Sequence, residues 1–100
     1  MNDDTYTQQA VALGYQPGAP APKILSQGRG VLAQAILQRA QELGIPTKTE
    51  PNLVEFLMQL DVNTFVPPEL FAAVAQVLAW AYEVDGKPLP FDREELARQT

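Results

Sequence analysis

The residues best spaced for chemistry are Gly28-Arg29-Gly30-Val31-Leu32-Ala33, a G-x-G-x-x-A pattern with an acid, Glu50, further along the chain. In a dinucleotide site such glycines let the backbone approach a pyrophosphate at a helix N-terminus, and the acid binds a ribose hydroxyl. That crevice needs a second set of strands across a switch point, which a chain of 100 residues is too short to supply. Gly28 and Gly30 therefore read as a tight strand-to-helix turn, with Ala33 small enough for the helix to pack closely. A nucleotide-binding enzyme fragment is the alternative from another class, and titration with dinucleotides separates the two.

Other reactive groups are few. The chain has no cysteine and no histidine, which removes thiolate nucleophiles, disulfides, zinc-finger ligation and every Ser-His or Cys-His relay. Asp3, Asp4, Asp85, Asp92, Glu94 and Glu95 gather at the termini and at a turn, where solvated charge is the ordinary expectation. Carboxylates working as an acid–base pair need a partly apolar cleft that separates their pKa values. Glu50, Glu55 and Asp61 lack the ligand density of a calcium loop. The expectation is a protein that is not an enzyme and uses no cofactor or metal. With 12 acids against 7 bases the net charge is −5, and no basic run exists to release counterions from a phosphate backbone, so no nucleic-acid partner is expected.

The elements that would position these residues follow from apolar spacing and stop signals. Ala10 to Tyr15 and Lys23 to Ser26 read as short strands, joined by a connector with three prolines and a glycine between Pro17 and Pro22. Gly30 to Leu43 has helical spacing, with Leu32, Ile36, Ala40 and Leu43 on one face. Gly44 and Pro46 stop it. Thr47 to Glu50 alternates threonine with charge and suggests a peripheral strand. Pro51 opens a second helix with Leu53, Phe56, Leu57 and Leu60 inward, Asp61 to Pro67 is a connector, and Pro68-Glu69 starts a third helix. Asp85 to Pro88 is a turn, and Asp92 to Glu95 resembles a capping box for a short last helix. The expected fold is a small α/β domain (α+β, sandwich-like), with three to four strands surrounded by three to four helices. Its middle strand–helix–strand unit is expected to be a right-handed parallel crossover.

The third helix stands apart. From Leu70 to Tyr82 every residue except Gln76 is apolar, so it is apolar on all sides, whereas a surface helix shows one stripe. Val74, Val77 and Trp80 read as core. Either the whole circumference is buried, or some of Phe71, Ala75, Leu78 and Tyr82 form an exposed binding patch. The run is too short for a bilayer span of about 20 residues. Met1 to Asp4 shows no signal-peptide pattern, so a soluble protein of a reducing compartment is expected.

Taken in order, Ala10 to Tyr15, Ala21 to Gly28, Gly44-Ile45-Pro46, Glu50 to Leu53 and Val66 to Trp80 resemble the cytoplasmic domain of the FlhB export-switch family of flagellar and type III secretion systems. The blocks run from about Ala10 to Tyr82 with little or no gapping. Members of that family bind secreted rod- and hook-type subunits at the export gate and switch to later substrates after self-cleavage within an Asn-Pro-Thr-His motif. The residues aligned with that motif are Thr5, Tyr6, Thr7 and Gln8; only Thr7 is kept, and Asn2, Asn52 and Asn63 are not followed by proline. The resemblance thus implies a module without autocleavage. The expectation is a module without a preceding membrane domain, with about four residues where the family has a further strand, which would leave one side of the Ala10 strand uncovered.

By the same resemblance, Ala21, Pro22, Ala75 and Leu78 would form the pocket for early export substrates. The implied organisation is an N-terminal arm over residues 1–9, the family module over 10–84, and a turn and short helix over 85–100. The implied function is a non-catalytic binding module at the cytoplasmic face of the export apparatus, with export substrates and export-gate membrane proteins as partners. An orphan adaptor that kept the fold and lost the export role is the alternative.

Overall fold

A computed structural model describes residues 8–89. Two strands, β1 (Gln9–Gly14) and β2 (Lys23–Arg29), pair antiparallel and are followed by α1 (Val31–Leu43), α2 (Pro51–Leu57), a 3-10 turn (Pro68–Leu70) and α3 (Phe71–Asp85). The class is α+β, a small sheet with three helices, but the strand count is two among the described residues, not three to four.

The missing strand has a physical cause. Thr47 to Glu50 forms no strand, because alternating threonine with charge offers no apolar face to bury. The far side of β2 is taken instead by residues 63–66, read from the sequence as connector. Ile24 N–H donates to the Thr64 carbonyl at 3.0 Å, Asn63 N–H to the Ile24 carbonyl at 2.7 Å, and Val66 N–H to the Pro22 carbonyl at 2.8 Å. This contact is an antiparallel bridge of Lys23 with Phe65, so the expected parallel crossover does not form. Asn63 makes the turn into it with a φ of 71°, a left-handed conformation that asparagine tolerates better than most residues.

The register decides which face each helix covers. Ala10 pairs with Gly28, Val11 with Gln27 and Ala12 with Ser26, and a bulge at Leu25 then brings Leu13 opposite Ile24. Leu13, Val11 and Ile24 join a core built with Leu57 of α2 and with Val74 and Leu78 of α3. On the opposite face lie Ala10 and Gly28, against which α1 packs. The hairpin is thus the middle layer between α1 and the pair α2 and α3.

Helix ends match their sequence signals. Gly44 and Gly86 take left-handed conformations, with φ of 71° and 70°, and cap α1 and α3. Pro51 starts α2, which ends at Leu57, short of Leu60. Pro68 starts the 3-10 turn that leads into α3. The capping box at Asp92 to Glu95 lies outside the described residues.

Candidate functional site

Ala21, Pro22, Ala75 and Leu78 do come together, and they do so in the interior. Ala21 is 5% exposed, Ala75 1% and Leu78 7%, and Pro22 is among the fully buried side chains. The hydrogen bond from Val66 N–H fixes Pro22, and Ala75 and Leu78, three residues apart, share one face of α3. Phe71 is buried too, while Tyr82 is half-buried. The inward stripe of α3 therefore contains three of the four residues weighed as surface candidates.

Of the four carried-over residues, Leu78 also reaches an open space. A groove of about 570 Å³ runs beside β1, bordered by Ala10, Val11, Ala12 and Leu13 in succession. One wall is the α1 stripe Leu32, Ile36 and Ala40, spaced four residues apart and hence aligned on one side of the helix. Val54 of α2 and Val77, Leu78 and Ala81 of α3 also line it, as do Leu25, Ser26 and Gln27 of β2 and Ile45 and Pro46 after α1.

The apolar face of an amphipathic helix ordinarily packs onto the core. In the structure Ala33 is the buried residue of α1, and Leu32 and Leu43 are 64% and 56% exposed. The reason is Gly28. A Cβ there would fall 2.6 Å from the Cβ of Leu32 and 3.3 Å from Ala33 N, so the helix is drawn down at Ala33. Its Leu32 side is then turned toward the groove. Gly28 of the antiparallel hairpin and Ala33 of α1 act as packing residues, and the described residues hold no parallel strands of a dinucleotide crevice.

The charged groups bordering the groove are Arg39 and Lys48. Arg39 pairs with Glu42 at 3.3 Å, and Lys48 with Glu50 at 3.7 Å, all at the exposed surface. Lys48 Nζ also sits 5.5 Å from the centre of the Trp80 ring, which ties the segment after α1 to α3. Gln27 borders the groove as well; its Nε2 donates to the Leu60 carbonyl at 2.6 Å, and its buried Oε1 accepts no hydrogen bond among the described residues. Among the described residues no group of three or more acids could hold a metal ion, and no helix is long and apolar enough to cross a membrane.

Of the positions aligned with the cleavage motif, Thr5, Tyr6 and Thr7 lie outside the described residues. Gln8 is the first described residue, and its carbonyl accepts a 2.9 Å hydrogen bond from Gly30 N–H, which anchors the start of β1 to the turn before α1.

Comparison with known proteins gives one consistent result. The model of the FlhB HrpN YscU SpaS Family matches residues 6–81. The protein YlqH of Bacillus subtilis is 31% identical over 86 residues, which cover 85% of this chain and 92% of that protein. The flagellar biosynthetic protein FlhB of Yersinia enterocolitica is 40% identical over 80 residues, covering 78% of this chain and only 21% of the relative. Among solved structures, the PscU C-terminal domain superposes with a TM-score of 0.70 at 30% identity, over 74% of this chain and 96% of that one. A mutated EscU/SpaS C-terminal domain gives 0.76 at 26% identity, over 79% and 98%.

Proposed function

Because the chain belongs to the FlhB HrpN YscU SpaS family, we propose that it is a non-catalytic binding module of a flagellar or type III export apparatus. It docks export substrates of the rod or hook type, or the membrane-bound switch protein, at the cytoplasmic face of that apparatus. The observation that carries this reading is the apolar groove beside β1, with Leu78 in its wall. An apolar groove of this size is the ordinary form of a binding site. Leu78 touches the docked partner, and Ala21, Pro22 and Ala75 hold it in position from the core behind. With no cysteine and no histidine the chain lacks a Ser-His or Cys-His relay, and no Asn-Pro bond is present for self-cleavage.

The test is affinity capture of export-apparatus proteins by the full chain, compared with Leu32→Asp and Ile45→Asp. Both residues border the groove and are exposed, at 64% and 53%, so a carboxylate there leaves the fold intact. Capture should fall about tenfold or more in each variant, as when a well-placed interface residue is lost. Equal capture by all three proteins would remove the groove from the function. No capture by the wild-type chain would favour an adaptor that has left the export system.

A further inference from the structure

The groove is bordered by two cations, Arg39 and Lys48, and by no carboxylate. Their partners Glu42 and Glu50, at 3.3 and 3.7 Å, do not line it. Exposed pairs of this kind hold weakly, so both cations can exchange one carboxylate for another. Apolar side chains open to solvent border the groove as well, Leu32 on α1 and Ile45 just after it. The chemistry that fits this surface is a short segment with apolar residues set among acids.

Residues 90–100 of the chain itself have that composition. In the run Pro90-Phe91-Asp92-Arg93-Glu94-Glu95-Leu96, two large apolar residues flank three acids and one base. The segment also starts within reach. Ala81 of α3 borders the groove, and the helix ends four residues later at Asp85, about 6 Å further along its axis. There Gly86 takes its left-handed cap and Lys87 N–H donates back to the Tyr82 carbonyl at 2.9 Å, so the chain leaves the helix axis. The five residues from Gly86 to Phe91 extend to at most about 17 Å, more than the return to Ala81 requires.

Residues 1–7 carry acids too, Asp3 and Asp4, but their apolar residues are only Met1 and Tyr6. The 2.9 Å hydrogen bond from Gly30 N–H holds the Gln8 carbonyl beside the start of α1, and from there the chain would have to reverse to enter the groove.

We infer that residues 90–100 close the groove of their own chain. Phe91 and Leu96 pack against the apolar residues of α1 and against Ile45, while Asp92, Glu94 and Glu95 draw Arg39 and Lys48 from Glu42 and Glu50. A capped helix start at Asp92 brings Phe91 and Leu96 together, which lets both enter one groove. The segment is then a displaceable cover, and a partner gains the groove by removing it. That competition rests on the binding role proposed above, whereas the contact itself does not.

The experiment uses the full chain. It has no cysteine, so Gln99→Cys provides a single site for a nitroxide label. Amide signals of Ile36, Ala40 and Ile45, which border the groove, should be lost to paramagnetic broadening. Those of Thr64 and Phe65, on the far side of β2, should remain. Phe91→Ser with Leu96→Ser, and separately Glu94→Lys with Glu95→Lys, should each return the lost signals. In affinity capture, without the label, each pair of substitutions should tighten binding of export-apparatus proteins about threefold.

Groove signals that survive in the labelled chain, loss no greater there than at Thr64 and Phe65, or loss unchanged by either pair of substitutions would overturn the inference. So would broadening passed from labelled chains to isotope-enriched chains lacking the cysteine, which would make a second copy the source of the segment. Capture unchanged by both pairs would overturn the cover as a competitor. Capture by none of the proteins would remove the proposed function, and the nitroxide contact would then stand or fall by itself.

Discussion

Gly28 of β2 and Leu32 of α1 approach so closely that a Cβ on Gly28 would lie 2.6 Å from the Cβ of Leu32. The contact is with the first side-chain carbon and the backbone behind it, with Leu32 C at 3.1 Å, so a rotamer change cannot relieve it. Gly28→Ala should therefore cost about 1–3 kcal/mol in a urea melt, through overpacking. Leu32→Ala keeps the offending carbon and should not rescue Gly28→Ala. Rescue by it would show that the leucine side chain, not the helix backbone, sets the distance.

Ala75→Asp and Leu78→Asp place a carboxylate in the interior, where both residues are buried with the core. Each should cost roughly 3–5 kcal/mol, a large part of the stability of a domain this size. Ile45→Asp, at an exposed position, should stay within about 0.5 kcal/mol of wild type. Circular dichroism melts of the three variants check this. Wild-type melting of Ala75→Asp would mean that this side chain reaches solvent.

Lys48 over Trp80 gives a built-in reporter, since Trp80 is the single tryptophan of the chain. Lys48→Met keeps the aliphatic stem and removes the cation. It should shift the Trp80 emission and lower stability by about 0.5–1 kcal/mol, the usual range for such a contact at an exposed site. An unchanged emission spectrum would place the segment after α1 away from α3.

Self-cleavage should not occur. None of Asn2, Asn52 and Asn63 precedes a proline, so the purified protein should keep a single intact mass on prolonged incubation near neutral pH. Mass spectrometry that finds a fragment cut between Thr5 and Gln8 would overturn the claim.

Legibility followed how local each cause was. Gly44, Pro51 and Gly86 marked helix ends because capping depends on one residue's conformation. The exposure of Leu32 and Leu43 was not legible because periodicity shows that a helix has an apolar face, while the rotation of that face against the sheet is fixed by Gly28, in another element. The bridge of Lys23 with Phe65 was missed for a similar reason: residues 61–67 carry turn signals, and only the vacant side of β2 makes part of them extended. On α3, apolar composition could not say which stripe faces inward, so Ala75 and Leu78 stood equally well for patch or core. The groove itself was illegible, being the space left between three helices and a strand edge.

The cover that residues 63–66 place on the far side of β2 at Pro22 and Ile24 has a consequence for assembly. Sheets that propagate from chain to chain into fibrils need a free ladder on both sides, so that each newcomer becomes the template for the next. Here one side is closed by the protein's own backbone and the other is hemmed in by helices. At Pro22 and Ile24 a chain crowded among its own copies therefore meets no free ladder, and growth of the sheet into a polymer is blocked at that point.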